Sequence, residues 1–156
     1  MEIRKATNAE IGQILKLLVQ VNLVHHNGRP DLFKGPVTKY TEKELKKLMK
    51  QADRPIFVCM DGERLLGYAF CIVKNVQNHQ LLADCKTLYV DDLCVDEAVR
   101  GQGVGKALMA YVTDYARQLG CHNLTLNVWS FNENAMRFYE SLGMHEQRRT
   151  MESILS

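Results

Sequence analysis

Apolar residues recur along this chain at two periods, and the switches between them lay out its elements. Ile11, Ile14, Leu15, Leu18, Val21 and Val24 return every three or four positions, the spacing of one helical face, behind Thr7 or Asn8 as caps. Residues 2–6 ahead of them read as a short strand. The helix should end near His25-His26-Asn27-Gly28, and Arg29 to Pro36, with two prolines and Gly35, reads as a loop. Thr41 and Glu44 form a capping-box pattern for a second helix with Leu45, Leu48 and Met49 on its apolar face.

Period two then takes over. Ile56 to Met60 is a strand by its β-branched and aromatic content, and Asp61-Gly62 turns it into a partner running from Leu65 to Val73. Residues 74–85 are polar and set no register. Thr87 to Val95 is a further strand. Val104, Leu108, Tyr111, Val112, Tyr115 and Leu119 define a long amphipathic helix, Leu124 to Val128 a strand, and 132–142 a helix carrying Met136, Phe138, Tyr139 and Leu142, with Gly143 suited to its C-terminal cap. The tail, 144–155, is expected to form one or two short strands. The order β-α-α-β-β-β-α-β-α-β predicts an α/β fold with a mixed sheet: an antiparallel front half, then a parallel strand–helix–strand unit.

Composition narrows the function classes. At 156 residues, 46% apolar and 24% charged, the chain is expected to be one domain over 1–156. A net charge of +2 argues for no nucleic acid and no membrane among its partners. Met1-Glu2-Ile3-Arg4-Lys5 lacks the apolar core of a signal peptide, so the expected location is cytoplasmic. Cys59, Cys71, Cys85, Cys94 and Cys121 are odd in number and show no Cys-x-x-Cys pair, which suits reduced thiols and no metal.

The candidate chemistry centres on Arg100-Gly101-Gln102-Gly103-Val104-Gly105-Lys106. Glycines at alternate positions let backbone N–H groups close around an anion, and the helix that follows adds its unpaired first-turn donors and positive dipole end. A nucleotide-type Walker loop needs Ser or Thr after Gly105-Lys106, where Ala107 stands, and a dinucleotide fingerprint needs glycine at position 106. Both patterns fail. Arg100, Gly103 and Gly105 instead match Arg/Gln-x-x-Gly-x-Gly/Ala and resemble the acetyl-CoA pyrophosphate loop of the GNAT N-acetyltransferases. The resemblance extends from the acidic-apolar strand Asp91-Asp92-Leu93-Cys94-Val95 to Asn132-Glu133-Asn134-Ala135-Met136-Arg137-Phe138-Tyr139, covering residues 88–144. The front half agrees in element order only.

The resemblance implies a GNAT-like, mostly antiparallel sheet with a splayed parallel strand pair, and acetyl-CoA as cosubstrate. Residues 100–106 would hold the pyrophosphate, and the backbone of Leu93, Cys94 and Val95 the pantetheine arm. Asn132, Asn134 and Ala135 would add contacts, with Asn132 equally apt as a helix cap. Tyr139 is implied as general acid, since a phenol near 10 stays protonated at neutral pH and can meet a departing thiolate whose conjugate thiol titrates at roughly 8.5. Its helical neighbours Phe138 and Leu142 would also suit a core tyrosine.

The base is less defined. Asp91 is slightly favoured over Asp92, the two facing opposite sides by strand alternation, and a salt-bridged carboxylate is the plain alternative. His25, His26, Arg29 and Asp31 are candidate acceptor contacts, whereas nothing places a base beside the Cys94 thiol for a covalent route. The expected activity is direct acetyl transfer to a small-molecule or peptide amine in a ternary complex. The rival is a non-catalytic acyl-CoA-binding sensor or scaffold. Oligomeric state stays open, with a homodimer as the option the family suggests.

Overall fold

A computed structural model describes all residues, 1–156. Its elements are β1 (Glu2–Lys5), α1 (Ile11–Gly28), α2 (Glu42–Leu48), β2 (Ile56–Asp61), β3 (Arg64–Val76), β4 (Cys85–Val95), α3 (Val104–Gln118), β5 (Asn123–Leu126) and α4 (Glu133–Ser141). The five strands form one sheet in chain order, antiparallel from β1 to β4 and parallel between β4 and β5. The mixed α/β architecture is as expected, with β3 and β4 longer than their apolar runs because pairing continues through polar residues as far as Val76 and Cys85. No strand forms in 144–155, contrary to expectation.

The predicted capping box of α2 forms. Thr41 Oγ1 accepts from the Glu44 N–H at 3.2 Å and the Glu44 carboxylate accepts from the Thr41 N–H at 3.1 Å. Ahead of α1, a 3-10 turn at Asn8–Glu10 carries a similar box in which Glu10, only 3% exposed, accepts from the Thr7 N–H at 2.8 Å and from Arg4 Nη1 at 2.7 Å. A buried carboxylate is tolerated there because its oxygens are met by donors, the Arg4 guanidinium first, which hold it below the usual carboxylate range.

The sheet separates two cores. On one face, Phe57, Cys59, Ala69, Cys71, Leu88 and Val90 meet Val104, Leu108, Met109 and Val112 of α3, with Phe138, Tyr139 and Leu142 around α4 half-buried at the margin. On the other, Ile56, Val58, Met60, Tyr68, Phe70 and Cys94 meet Ile11, Ile14, Leu17 and Leu18 of α1 and Leu45 of α2. Leu17 takes a fully buried place in the α1 stripe, while Leu15 is only partly covered and Val24 is exposed. α3 lies close enough to β3 that a Cβ on Gly67 would stand 2.8 Å from the Cys94 carbonyl oxygen and 3.2 Å from Leu108 Cδ1.

β4 changes faces midway. Phe70 is opposite Asp92 and Cys71 opposite Val90, so Asp91 is an extra residue bulged out of the ladder. Before it, Leu88 and Val90 point to the α3 core. After it, Cys94 points to the α1 core, and Leu93 and Val95 take over the α3 side.

Candidate active site

The bulge overturns the expectation that Asp91 and Asp92 face opposite ways. Asp92, opposite Phe70, accepts a hydrogen bond from the fully buried Tyr68 hydroxyl at 2.9 Å, and Asp91 Oδ2 is 2.7 Å from Lys39 Nζ in the loop before α2. Both carboxylates therefore sit on the α1/α2 side. Strict alternation fails because the extra residue shifts the phase by one. Burial pushes the Asp92 carboxyl up to about 6, against the pull of the Tyr68 donor and the Lys39 charge. Loss of solvent is the largest single effect on Lys39 and lowers it, but the hydrogen bond to Asp91 and the nearby Asp91, Tyr40 and Asp92 charges together hold it above its usual range.

The strand edge is open where the resemblance requires it. Pairing between β4 and β5 runs from Thr87 with Asn123 to Val90 with Leu126 and stops, so Leu93, Cys94 and Val95 have β3 on one side and no strand on the other. Just beyond, Gly101 and Gly103 carry φ angles of 81° and 82°, a region that favours glycine, and a Cβ at either would meet nothing within 4 Å. Gly103 is the N-cap of α3 and no side chain caps that end. The first-turn N–H groups thus open onto an exposed turn formed by Arg100 to Gly103, with Lys106 exposed one turn into the helix.

The three glycines divide their roles. Gly105 has an ordinary φ, and its missing Cβ leaves room for Phe138 Cζ at 3.2 Å and Val95 Cγ2 at 3.5 Å. It lets α4 approach the start of α3, so it shapes the site by packing rather than by exposing backbone.

α4 brings in the remaining residues. Asn132 caps it, its side-chain oxygen accepting from the Ala135 N–H at 3.2 Å, and Asn134 accepts from Arg137 Nη2 at 2.7 Å. Tyr139 is half-buried, and its phenol is pushed up to about 12 by burial first and then by Asp92 and Cys94. The Cys94 thiol is likewise raised to about 12 by burial and by Asp92, and its Sγ points to the Leu17 carbonyl at 3.8 Å. It stays protonated at neutral pH, which counts against nucleophilic use. Tyr139, Asp92 and Cys94 are thus brought within electrostatic reach of one another.

The front-half candidates behave differently. His26 Nδ1 is 2.7 Å from the Phe33 carbonyl, Arg29 pairs with both Asp31 and Glu152, and the His25 ring packs on Phe33 at 4.9 Å, so these residues fold the 29–36 loop. Burial, with a lesser push from Lys39, holds His25 below its usual range. Phe33 meets Trp129 edge-on at 5.4 Å, and Trp129 stacks near Phe131 at 6.0 Å, an aromatic wall joining that loop to the segment between β5 and α4. Lys39, Tyr68 and this wall were not legible as site residues. Tyr68 could have been found by pairing β3 against β4, whereas Lys39 sits in a loop with no periodic signal. No group of His, Cys, Asp and Glu side chains is arranged to hold a metal, and no helix is long and apolar enough to cross a membrane.

Comparison with known proteins agrees with this geometry. Residues 24–144 match the acetyltransferase (GNAT) family. A thialysine N-epsilon-acetyltransferase of Bos taurus is 25% identical over 154 residues, covering 92% of this chain and 84% of its own. An uncharacterized N-acetyltransferase of Methanocaldococcus jannaschii is 28% identical over 109 residues, 70% of this chain but only 47% of its own length. The x-ray structure of a tetramutant of the BH1408 protein from Bacillus halodurans superimposes with a TM-score of 0.95 at 31% identity, over 99% of this chain and 100% of that one. An aminoglycoside N-acetyltransferase in complex with CoA shares the fold at a TM-score of 0.72 and 14% identity, over 99% of this chain and 93% of that one. With the family match spanning most of its length, this chain belongs to the GNAT family of acetyltransferases.

Proposed function

We propose that the chain, acting as one domain over 1–156, is a cytoplasmic N-acetyltransferase that moves an acetyl group from acetyl-CoA directly to an amine in a ternary complex. The observation that carries this reading is the parting of β4 from β5 after Val90, which leaves Leu93 to Val95 with an unpaired edge between the uncapped α3 turn and Tyr139. Those residues fit CoA in kind: donors without side-chain caps for a pyrophosphate, and a free strand edge for an amide-bearing arm. When bound, acetyl-CoA supplies an activated acyl carbon.

The chain's own residues do the rest. Arg100 to Lys106 anchor the phosphates, and backbone N–H groups at Cys94 or Val95 donate to the carbonyl oxygen as charge develops on it. Asn132 orders the start of α4 by its cap, with Asn134 and Ala135 beside it. A phenol near 12 is a weaker acid than free tyrosine, so Tyr139 works by a hydrogen bond to the departing sulfur that becomes proton transfer as the C–S bond breaks. Asp91 is tied to Lys39, whereas Asp92 near 6 is better matched to receive a proton from the amine. We therefore assign the acidic pair jointly, Asp92 as proton acceptor and Asp91 with Lys39 as the charge pair that positions the acceptor. The partner is a small-molecule or peptide amine, and the reading calls on no metal, nucleic acid or membrane.

The test is thiol release from acetyl-CoA across polyamines, amino acids, aminoglycosides and peptide amines, with Tyr139→Phe alongside. Turnover on at least one class is expected, reduced about a hundredfold in kcat by the substitution, the low end for a general acid. Tight CoA binding with no turnover on any amine would replace the enzyme by the sensor, and unchanged kcat would remove Tyr139 from its role.

A further inference from the structure

A cavity of about 140 Å³ opens where the end of β1, the turn after α2 and the start of β2 meet. Lys5, Met49, Lys50, Ala52, Arg54 and Ile56 are among its lining residues. None of the lining residues belongs to the glycine turn, to Leu93–Val95 or to α4, so the cavity is separate from the site described above. At roughly 30 Å³ per water it has room for about four or five waters, or for one phosphate-sized ion with part of its shell.

The lining is positive and contains no acid. Lys5, Lys50 and Arg54 stand in no ion pair, whereas Arg4, Arg29, Lys39 and Arg64 each find a carboxylate. Arg54 is the most confined of the three: it is half-buried and also lines a smaller cavity shared with Tyr40, Phe70 and Asp91. Its guanidinium bonds to no protein acceptor, and none of its nitrogens is buried without a partner, so its fork of donors opens onto solvent. Lys5 has only the Tyr115 ring, whose centre is 6.0 Å from its Nζ. The Ala52 N–H bonds to no backbone carbonyl. Local structure does not account for these cations. Lys46 and Lys47 complement the C-terminal end of α2, and Lys46 also pairs with Glu42 at 3.2 Å. Lys50 and Arg54 lie past that end, and the one acid between residues 45 and 60, Asp53, is not in the lining.

We propose that this cavity is a second anion site, which takes the phosphoryl group of a small molecule between Arg54, Lys5 and Lys50, with the free Ala52 N–H as a further donor. Two oxygens of a phosphoryl group match the Arg54 fork, and its double charge calls for more than one cation, which the two lysines supply. A concave site of this size holds one such group, whereas a polyanion backbone needs an extended positive track. The proposal stands on the cavity and is independent of the acetyltransferase reading.

Residue-resolved amide NMR of the full chain, titrated with pyrophosphate, tests it, because the shifts read this cavity and the glycine turn separately. Saturable shifts are expected at the Ala52 and Asp53 amides, with any response of residues 101–106 following its own curve. Lys50→Gln combined with Arg54→Gln is expected to weaken the Ala52 response about tenfold or more, as for the loss of a charge-assisted hydrogen bond, and to leave residues 101–106 unaffected. Lys5→Gln, on a different element, is expected to weaken it in the same direction and serves where the paired change disturbs the turn after α2. Four results would overturn the proposal. One is no saturation at Ala52 by about 10 mM pyrophosphate, where a site of millimolar affinity is largely filled. The second is equal saturation by acetate, which would mean general screening, and the third is an affinity that neither variant changes. The last is tighter binding of a short single-stranded oligonucleotide with shifts spread along α2, which would make the patch a polyanion track.

Discussion

Replacing Asp92 by asparagine isolates the electrostatic cost of the acidic pair. In the folded protein this carboxyl titrates near 6 against an ordinary value of 3.8, because burial penalises its charge more than Tyr68 and Lys39 relieve it. The difference is about two pH units, and at about 1.36 kcal/mol per unit the ionised form weakens the fold by up to about 3 kcal/mol. Some residual solvent access of Asp92 makes that an upper value. The sign follows from a raised folded value: below pH 4 the group is neutral in both states and contributes nothing, and between pH 4 and 6 the unfolded chain loses its proton first, so stability falls as pH rises. Above pH 6 the full penalty is present. Asparagine keeps an oxygen for the Tyr68 hydroxyl but carries no charge. Urea unfolding of wild type and Asp92→Asn from pH 3.5 to 7.5 should therefore show the variant gaining on wild type by about 2–3 kcal/mol across the range, whatever their offset, since other titrating groups cancel in the difference. A difference flat in pH would refute the buried-charge argument, and with it the case for Asp92 as the proton acceptor.

Other substitutions probe separate parts of the argument. Gly103→Ala forces a Cβ into a left-handed conformation at φ 82° without touching any neighbour, so it should lower stability by roughly 1–2 kcal/mol and weaken CoA binding measured by calorimetry. Gly67→Ala places a Cβ 2.8 Å from the Cys94 carbonyl, a backbone atom that cannot swing away, and should cost about 1–3 kcal/mol by denaturant unfolding while also raising KM for acetyl-CoA. Glu10→Ala strips Arg4 and the Thr7 N–H of their acceptor and should cost about 1–3 kcal/mol at pH 7. Because the folded Glu10 carboxyl lies below its ordinary 4.5, that contribution is complete above the ordinary value and disappears as pH falls through the lower folded one, so the gap to wild type should close in acid.

What could be read from the chain before its structure follows from how local each feature is. The cap at Thr7, the capping box at Thr41, the buried Val104, Leu108 and Val112 of the α3 stripe and the glycine turn ahead of it depend on residues within one or two helical turns, and these appear as expected, whereas Tyr111 of that stripe is exposed. The facing of Asp91 and Asp92 was misjudged because it depends on how β4 registers against β3, a relation between segments some twenty residues apart that no periodicity within β4 expresses. Gly105 reads from the sequence as part of an anion cradle because it belongs to the same run of alternate glycines, yet its missing Cβ makes room for Phe138 on a different helix. Lys39 was invisible for the same cause, since its partner Asp91 is fifty-two positions away and its loop has no pattern. The tail shows the opposite failure. It is expected to form one or two strands and forms none, since a strand needs a neighbour and composition does not say where the neighbour is.

The extra residue in β4 also has a consequence for how this protein tolerates change. It works as a parity switch: the strand supplies Leu88 and Val90 to one core with one phase, and Cys94 to the other core with the opposite phase. Any single substitution at Asp91 alters one side chain. Deleting Asp91 would make Val90 and Asp92 consecutive, as their partners Cys71 and Phe70 already are, so it would remove the bulge and the contact with Lys39 while leaving Leu88, Val90, Asp92, Leu93 and Cys94 on the faces they now occupy. The extra residue is thus an insertion that the strand accommodates in place, adding a carboxylate on the α2 side without moving either core.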